Sequence, residues 1–531
     1  MLHDSVVVSL NGDNLTMEEL LSVARMGTRV ALSDAARARI RRSRTVVEQV
    51  SARGDLVYGM NTDLGPLVRN RIPEHELAQF QVRTLVGHTV AFGTELDVET
   101  VRAMMLARVN GCAKGGAGVR LEVADKLIEL LNKRVHPVVV SGSSVGQSDL
   151  SEMSQIAQVL VGLGQAEFQG QRLRGAAALA EASIQPLTLA IKEALALMSS
   201  NGLTVGKGTL VLDEARKALL AFDLSAALAL EAFGGNLSII NEGVTRLKAH
   251  PGHRNVAERL RGLLTGSYLW DEGAARNLQD PLSFRCIVQV HGALDEAIDR
   301  LKQSLEIELN SAADNPLVNF DDGTIVSCGT FDVTNIAIGF DSLRIALTHV
   351  INLSNERIQK QLWSHFTGLP TGLESSNEPL SRLIPLARTA AVLAGEAHAL
   401  AVPVSLSFRG QIAEGIEDHA SAAPLGILQT ERMVLIAERI TALEMLISCA
   451  AIELRNPSKL GAGTKSIFGF IKEKPWQQAT HWPSAIERLL KAIKSGELTT
   501  FTNNAKDALL SQFKMRILSA SESRVQNEPQ E

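Results

Sequence analysis

The chain has 531 residues, 45% of them hydrophobic, 21% charged and only 4% aromatic, with a formal charge of −5. At roughly 150 residues per domain that length predicts three or four units, unless long helices pool it around one large core. An acidic balance without an Arg/Lys block argues against a nucleic-acid-binding face. The four cysteines stand far apart with no CxxC pair, which reads as reduced thiols in a cytoplasmic protein.

The opening "MLHDSVVVSLNGDN" lacks a basic stretch followed by an apolar run, so no secretory signal is expected. "VVVSL" reads as a short strand ended by "NGDN". Thr16 and Glu19 then have the spacing of a capping box, in which each side chain satisfies the other's free backbone amide. Residues 57–67, "VYGMNTDLGPL", break the helical pattern with two glycines and a proline and predict a functional loop. With two tyrosines in the chain, a catalytic tyrosine is Tyr58 or Tyr268.

From about residue 75 the pattern is mostly helical, interrupted at "GGAG" (115–118) and "HPVVVSGSSVG" (136–146). Long apolar-periodic segments follow at 209–233, 288–310, 333–364, 381–402 and 425–455, longer than usual globular helices and suited to a bundle. The most apolar stretch, "TAAVLAGEAHALAVPVSLSF", carries Glu396, His398 and Pro403. It reads as a buried helix and its exit rather than a membrane span. The expected organisation is a mixed N-terminal active-site domain (1–205), a central long-helix domain with C-terminal helices (206–515), and a polar disordered tail (516–531).

Some motifs carry little. "HPGH" sets His250 and His253 three apart without further ligands, so no metal site is expected. "GLGQAEFQG" lacks the third glycine of a dinucleotide loop, and "GGAG" lacks the P-loop lysine. Three polar groups are more telling: "QDPLSFR" with Gln279 and Arg285, "FRGQIAEGIEDHAS" with Glu414, Glu417, Asp418 and His419, and "GTFDVTN". Spacing leaves open whether they share a pocket with Tyr58 and Asn61 or are solvated loops and helix caps.

In order along 15–455, these segments resemble the histidine and phenylalanine ammonia-lyase family. "VYGMNTDLG" is similar to its YGVNTGFG loop, "GHTVAFG" to SHAAGxG, "RVNGCAKGGAGVR" to RxNxLxxGxSGVR, and "KEALALMSSNG" to KEGLALxNG with two extra residues before Asn201. "LQDPLSFRCIVQVHGA", "LNSAADNPLV", "CGTFDVTNIAIGFD" and "IEDHAS" resemble VQDPYSLRCxPQVxGA, EINSATDNPLV, GGNFHxxxxAxAxD and QEDHVS. The resemblance implies a mainly α fold, an ammonia-lyase/fumarase-like long central helical bundle with a mixed N-terminal domain. It also implies a cytoplasmic homotetramer whose active sites combine subunits.

By that resemblance Tyr58 matches the catalytic base and Arg285 the anchor for a substrate carboxylate. His88 and Glu417 match positions that the histidine-specific branch uses near imidazole. Asn61, Asn201 and Gln279 match polar positions of the pocket, and Phe331 an aromatic one. A free tyrosine titrates near ~10, so a base at neutral pH needs a pocket that favours its phenolate.

The family's signature departs here. Its Ala-Ser-Gly triad, within GSVGASGDLAPL, cyclises into a methylidene-imidazolone electrophile (MIO). This chain reads "SSVGQSDLSEM", one residue short, with Gln147-Ser148-Asp149 in place of the triad. The glycine whose nitrogen closes the ring is gone, so no MIO and no other cofactor is expected. The second tyrosine is Leu282, GNFH becomes Gly329-Thr330-Phe331-Asp332, and Arg382 stands where a small residue is normal.

Without an electrophile a primary amine leaves poorly, whereas a quaternary ammonium leaves as a neutral tertiary amine. The expected substrate is therefore a small betaine with an imidazole ring, with no nucleic-acid or membrane partner. Ergothioneine meets these demands, implying an ergothionase-like lyase that releases trimethylamine and thiourocanate. Asp149 or Asp332 is then placed to face the cation, Phe331 to add a cation–π contact, and Arg382 to meet the ring sulfur. Helix N-caps for the two aspartates and a surface ion pair for Arg382 are equally open. An electrophile-free lyase or isomerase on another betaine or aromatic amino acid, and an inactive scaffold, remain alternatives.

Overall fold

The computed structural model describes residues 7–374, 383–407, 410–472, 482–498 and 500. Helices dominate. The longest are Gly202–Phe233, Ile287–Leu309, Thr334–Gln361 and Ala423–Arg455, close to the bounds expected from apolar periodicity. The helix Thr334–Gln361 is long and apolar enough to cross a membrane by length and composition alone, but its Ile336, Phe340, Leu343 and Leu347 are fully buried in protein. The apolar stretch at 389–408 begins inside the helix Ile384–Leu400, which ends before Pro403 as expected. Only part of that helix is buried: Ala390, Leu393, Ala394 and Ala397 face inward, while Val392 is exposed.

The chain divides into two compact units, interleaved in sequence: residues 1–212, 300–341 and 403–428, and residues 213–299, 342–402 and 429–531. In the first, Val7–Leu10 pairs in parallel with Arg29–Leu32. The capping box forms as expected, Thr16 and Glu19 closing the start of the helix Met17–Leu21. The centre of this unit is the helix Val98–Lys114, capped by Asp97 and stopped by Gly115 in the left-handed conformation. It is buried nearly all round, its Met104, Met105, Leu106 and Val109 fully so. At about 1.5–3 kcal/mol per large apolar side chain, such burial is the main source of stability.

Two buried arginines on this helix tie in distant strands of chain. Arg102 donates to the carbonyls of Val23 and Leu131. Arg108 meets Asp314 at 2.8 Å with both side chains 1% exposed. Breaking such a pair typically costs about 3–5 kcal/mol because one charge is left buried alone.

The second unit holds a stacked Phe233–Phe284 pair, ring centroids 4.1 Å apart. A polar core surrounds Glu444, which accepts from Arg357, Ser225 and Ser354. Beside it Asp223 accepts from His291 Nδ1 at 2.7 Å and from Arg259 at 2.6 Å. Tyr268 belongs here. Its hydroxyl donates to the Glu231 carbonyl at 2.7 Å, and burial pushes it up to about 12.

Candidate active site

The loop after the helix Asp34–Arg53 is built to present Tyr58. Gly59 has φ +62, and a Cβ there would lie 2.4 Å from Leu195 and 2.7 Å from Leu64, so only glycine fits. Asn61 accepts from the Val57 N–H and donates to the Asp55 carbonyl, each at 2.9 Å. Thr62 accepts from the Gly59 N–H. The Tyr58 hydroxyl oxygen in turn accepts from the Gly65 N–H at 3.1 Å, a donor aimed at the atom that would carry a phenolate's charge. Asn61, expected on the substrate, braces the loop through these backbone bonds and is not among the residues that line the cavity below.

Tyr58 lines a cavity of about 880 Å³ together with His88, Gln147, Ser148, Phe331, Asp332 and Glu417. Tyr268 does not line it, which leaves Tyr58 as the tyrosine of this site. His88 follows the helix Leu77–Gly87, and its Nδ1 lies 2.7 Å from the Thr84 carbonyl. A carbonyl only accepts, so Nδ1 carries the hydrogen and Nε2 is left as the free ring nitrogen. Glu417 sits in a tight turn whose backbone pairs with Ile412 in both directions at 3.1 Å.

One wall is the segment 142–149. Glu152, fully buried, gathers it: Oε1 accepts from the N–H groups of Gly142, Ser143 and Ser144 at 3.1–3.3 Å. Asp149, also fully buried, accepts from the Ser144 hydroxyl at 2.7 Å and the Thr204 N–H at 2.8 Å. It braces the start of the helix Gly202–Phe233 from outside, does not line the cavity, and at the start of its own helix, Leu150–Leu160, makes no side-chain cap bond. Burial, with Glu152 nearby, pushes Asp149 up to about 6 against the pull of these donors. Gly146 accepts from Ser421, and Val145 from the Ala422 N–H, both at 2.9 Å.

Beside this wall the cavity is lined by Phe331 and Asp332. Gln147 and Asp332 form an isolated antiparallel bridge. Asp332 lines the cavity; Oδ1 accepts from the Thr334 N–H at a helix start, and Oδ2 meets His419 at 3.1 Å. Behind it Glu308 is pushed up to about 7 by burial and by the Asp332 charge.

Asn201, Gln279 and Arg285 are not among the residues that line this cavity. Asn201 is 4% exposed, and neither end of its carboxamide has a partner among the described residues. It does not line the cavity. Gln279 and Arg285 lie in the second unit and pair with each other, Gln279 Oε1 accepting from both terminal nitrogens of Arg285. Arg285 Nε is buried and has no partner among the described residues. Arg382 lies outside the described residues.

Sequence reasoning overlooked Glu152 and Glu308. "SDLSEM" gives no sign that Glu152 folds back on 142–144, and Glu308 looks like a solvated helix residue. His419 was visible in "EDHAS", but its pairing with Asp332 needs the fold.

The aromatic amino acid lyase family matches residues 15–473. Histidine ammonia-lyase of Caldanaerobacter subterraneus subsp. tengcongensis is 34% identical over 468 residues, 88% of this chain and 92% of that one. The Myxococcus xanthus histidine ammonia-lyase is 34% identical over 502 residues, 94% and 99% of the two chains. Among solved structures, ergothionase from Treponema denticola, in complex with desmethyl-ergothioneine sulfonic acid, superposes with a TM-score of 0.89 at 30% identity, covering 93% of this chain and 99% of that one. Histidine ammonia-lyase from Trypanosoma cruzi gives 0.86 at 29%, covering 94% and 96%. The mainly helical ammonia-lyase fold read from the motifs is thereby borne out. The chain belongs to the aromatic amino acid lyase family and is a carbon–nitrogen lyase of the ammonia-lyase kind.

Proposed function

We propose that this lyase works without an MIO and eliminates trimethylamine from ergothioneine, giving thiourocanate. The observation that carries this reading is the Gln147-Ser148-Asp149 turn in the wall of a cavity that retains Tyr58, His88 and Glu417. The turn does not fit the ring. Closure needs the third residue's amide nitrogen to attack the first residue's carbonyl. Here that nitrogen belongs to Asp149, donates to the Ser200 carbonyl at 2.8 Å, and carries a side chain tied to Ser144 and Thr204.

Tyr58 as phenolate removes the β-proton. The electrons of that C–H bond form the new C=C, the C–N bond breaks, and its pair leaves on neutral trimethylamine. Free Nε2 of His88 and the Glu417 carboxylate hold the ring. Arg285 and Gln279, supplied by another copy in a homotetramer, bind the substrate carboxylate. Phe331 and Asp332 receive the quaternary cation.

Histidine is the competing substrate, favoured by the 34% identity to histidine ammonia-lyases. Purified protein is offered ergothioneine and histidine in parallel. The proposal expects trimethylamine and a new conjugated chromophore from ergothioneine alone. Ammonia and urocanate from histidine would overturn it. Silence with both would move the assignment to another betaine or to a scaffold without activity. Tyr58→Phe is expected to lower turnover about 10²–10⁴-fold, the usual contribution of a general base.

A further inference from the structure

The segment 279–285 carries the proposed carboxylate anchor on one side and its own fastenings on the other. Gln279 is exposed and Arg285 half-buried, while Asp280, Ser283 and Phe284 are buried. The buried three fix the segment at three points. Asp280 accepts from the Asn236 N–H at 2.7 Å and from the Asn277 side-chain amide at 3.0 Å. The Phe284 ring stacks on that of Phe233. The Ser283 carbonyl accepts from Nη1 of Arg357 at 3.2 Å.

The third fastening is a charge. Arg357, in the helix Thr334–Gln361, and Glu444, in the helix Ala423–Arg455, have side chains that are both 0% exposed. The two Glu444 oxygens take Nε and Nη2 of Arg357, and Ser225 and Ser354 donate to the same carboxylate at 2.9 and 2.7 Å. This two-point grip fixes the plane of the guanidinium and with it the direction of Nη1, which meets Ser283. A buried ion pair is a weak device for stability, since apolar residues of similar volume often serve as well or better. What it supplies is direction: a guanidinium held along one edge offers its remaining donors at a set angle. Here they hold the main chain two residues before Arg285.

We propose that Arg357, clamped by Glu444, is a positioning residue that sets the aim of Arg285 at the substrate carboxylate without touching the substrate. This deepens the proposed function. It rests on the reading of Arg285 as carboxylate anchor, and not on which amine leaves.

The test compares acids with their methyl esters, which lack the charge that Arg285 holds. Ergothioneine and histidine, each beside its ester, are titrated calorimetrically into full-length Tyr58→Phe protein. Arg285→Met in that background gives the full effect of the anchor. Arg357→Lys keeps the charge beside Glu444, but a lone ammonium on a flexible stem does not hold both Glu444 oxygens and the Ser283 carbonyl in one plane. It is expected to weaken acid binding by about tenfold and ester binding by less than about twofold. The double variant Arg357→Met, Glu444→Leu replaces the pair by apolar side chains and is expected to melt close to the parent while losing the same preference for the acid. Should it melt well below the parent, Arg357→Lys decides alone. Equal losses for acid and ester, no loss for either, a double variant with full acid preference, or an Arg357→Lys protein that no longer folds would each overturn the assignment. An Arg285→Met protein that still prefers the acid would remove the anchor itself and the positioning role with it. Acid preference confined to the histidine pair would instead sink the ergothioneine reaction and leave the role of Arg357 standing.

Discussion

Glu308 stands in the last turn of the helix Ile287–Leu309, with burial and Asp332 both opposing its ionisation. Its carboxyl is raised from 4.5 to about 7, so the folded protein keeps a proton that the unfolded chain loses earlier. Stability from this group is therefore full below about pH 4.5 and is lost as pH rises towards 7. Discounted for partial exposure, the effect is roughly 1–2 kcal/mol. Glu308→Gln should match the parent near pH 4.5 and melt higher than it at pH 8; equal melts at both would remove the argument. This residue was not legible in the sequence, and Asn61 was marked there without its role as a brace. Motif matching marks a position but not whether its amide points at a ligand or, as Asn61 does, at the Val57 and Asp55 backbone. Tyr58 and Glu417 stood out in polar loop segments, whereas His88 was marked only by the family resemblance.

At the scale of an element, the helix Leu150–Leu160 does two jobs through Glu152, packing Met153 and Ile156 inward while tying 142–144. Glu152→Ala leaves three N–H groups without that acceptor, and a loss of about 2–4 kcal/mol is expected from chemical denaturation. Glu152→Gln, which keeps one oxygen, should fall between. In a folded Glu152→Ala protein the substrate KM should rise more than kcat falls, since the wall shifts while Tyr58 stays; unchanged KM would refute the brace. The helices themselves were readable from periodicity. The turn between them was not, because its conformation is set by Glu152, Asp149 and Ser421, which lie outside it or fold back on it.

For the whole molecule, the 57.1 kDa chain leaves large apolar side chains uncovered on long helices: Ile338, Ile345, Val392, Leu425, Leu428 and Leu435. Scattered exposed apolar residues are ordinary, but their recurrence along bundle helices fits a homotetramer. Light scattering is expected to give four times the chain mass, and a monomer would leave Arg285 without its proposed role at the cavity. The mainly helical architecture could be read from sequence because long apolar periods survive substitution. Interleaving of the two units could not, since periodicity carries no information on which stretches pack together.

The grip of Glu152 and Asp149 on the cavity wall has a consequence for how the enzyme comes into being. A wall completed by a covalent ring exists only after a slow self-modification of the folded chain. A wall completed by two buried carboxylates exists as soon as the chain has folded and assembled. On the proposed reading this enzyme has no maturation stage: it is competent from its first folded and assembled moment.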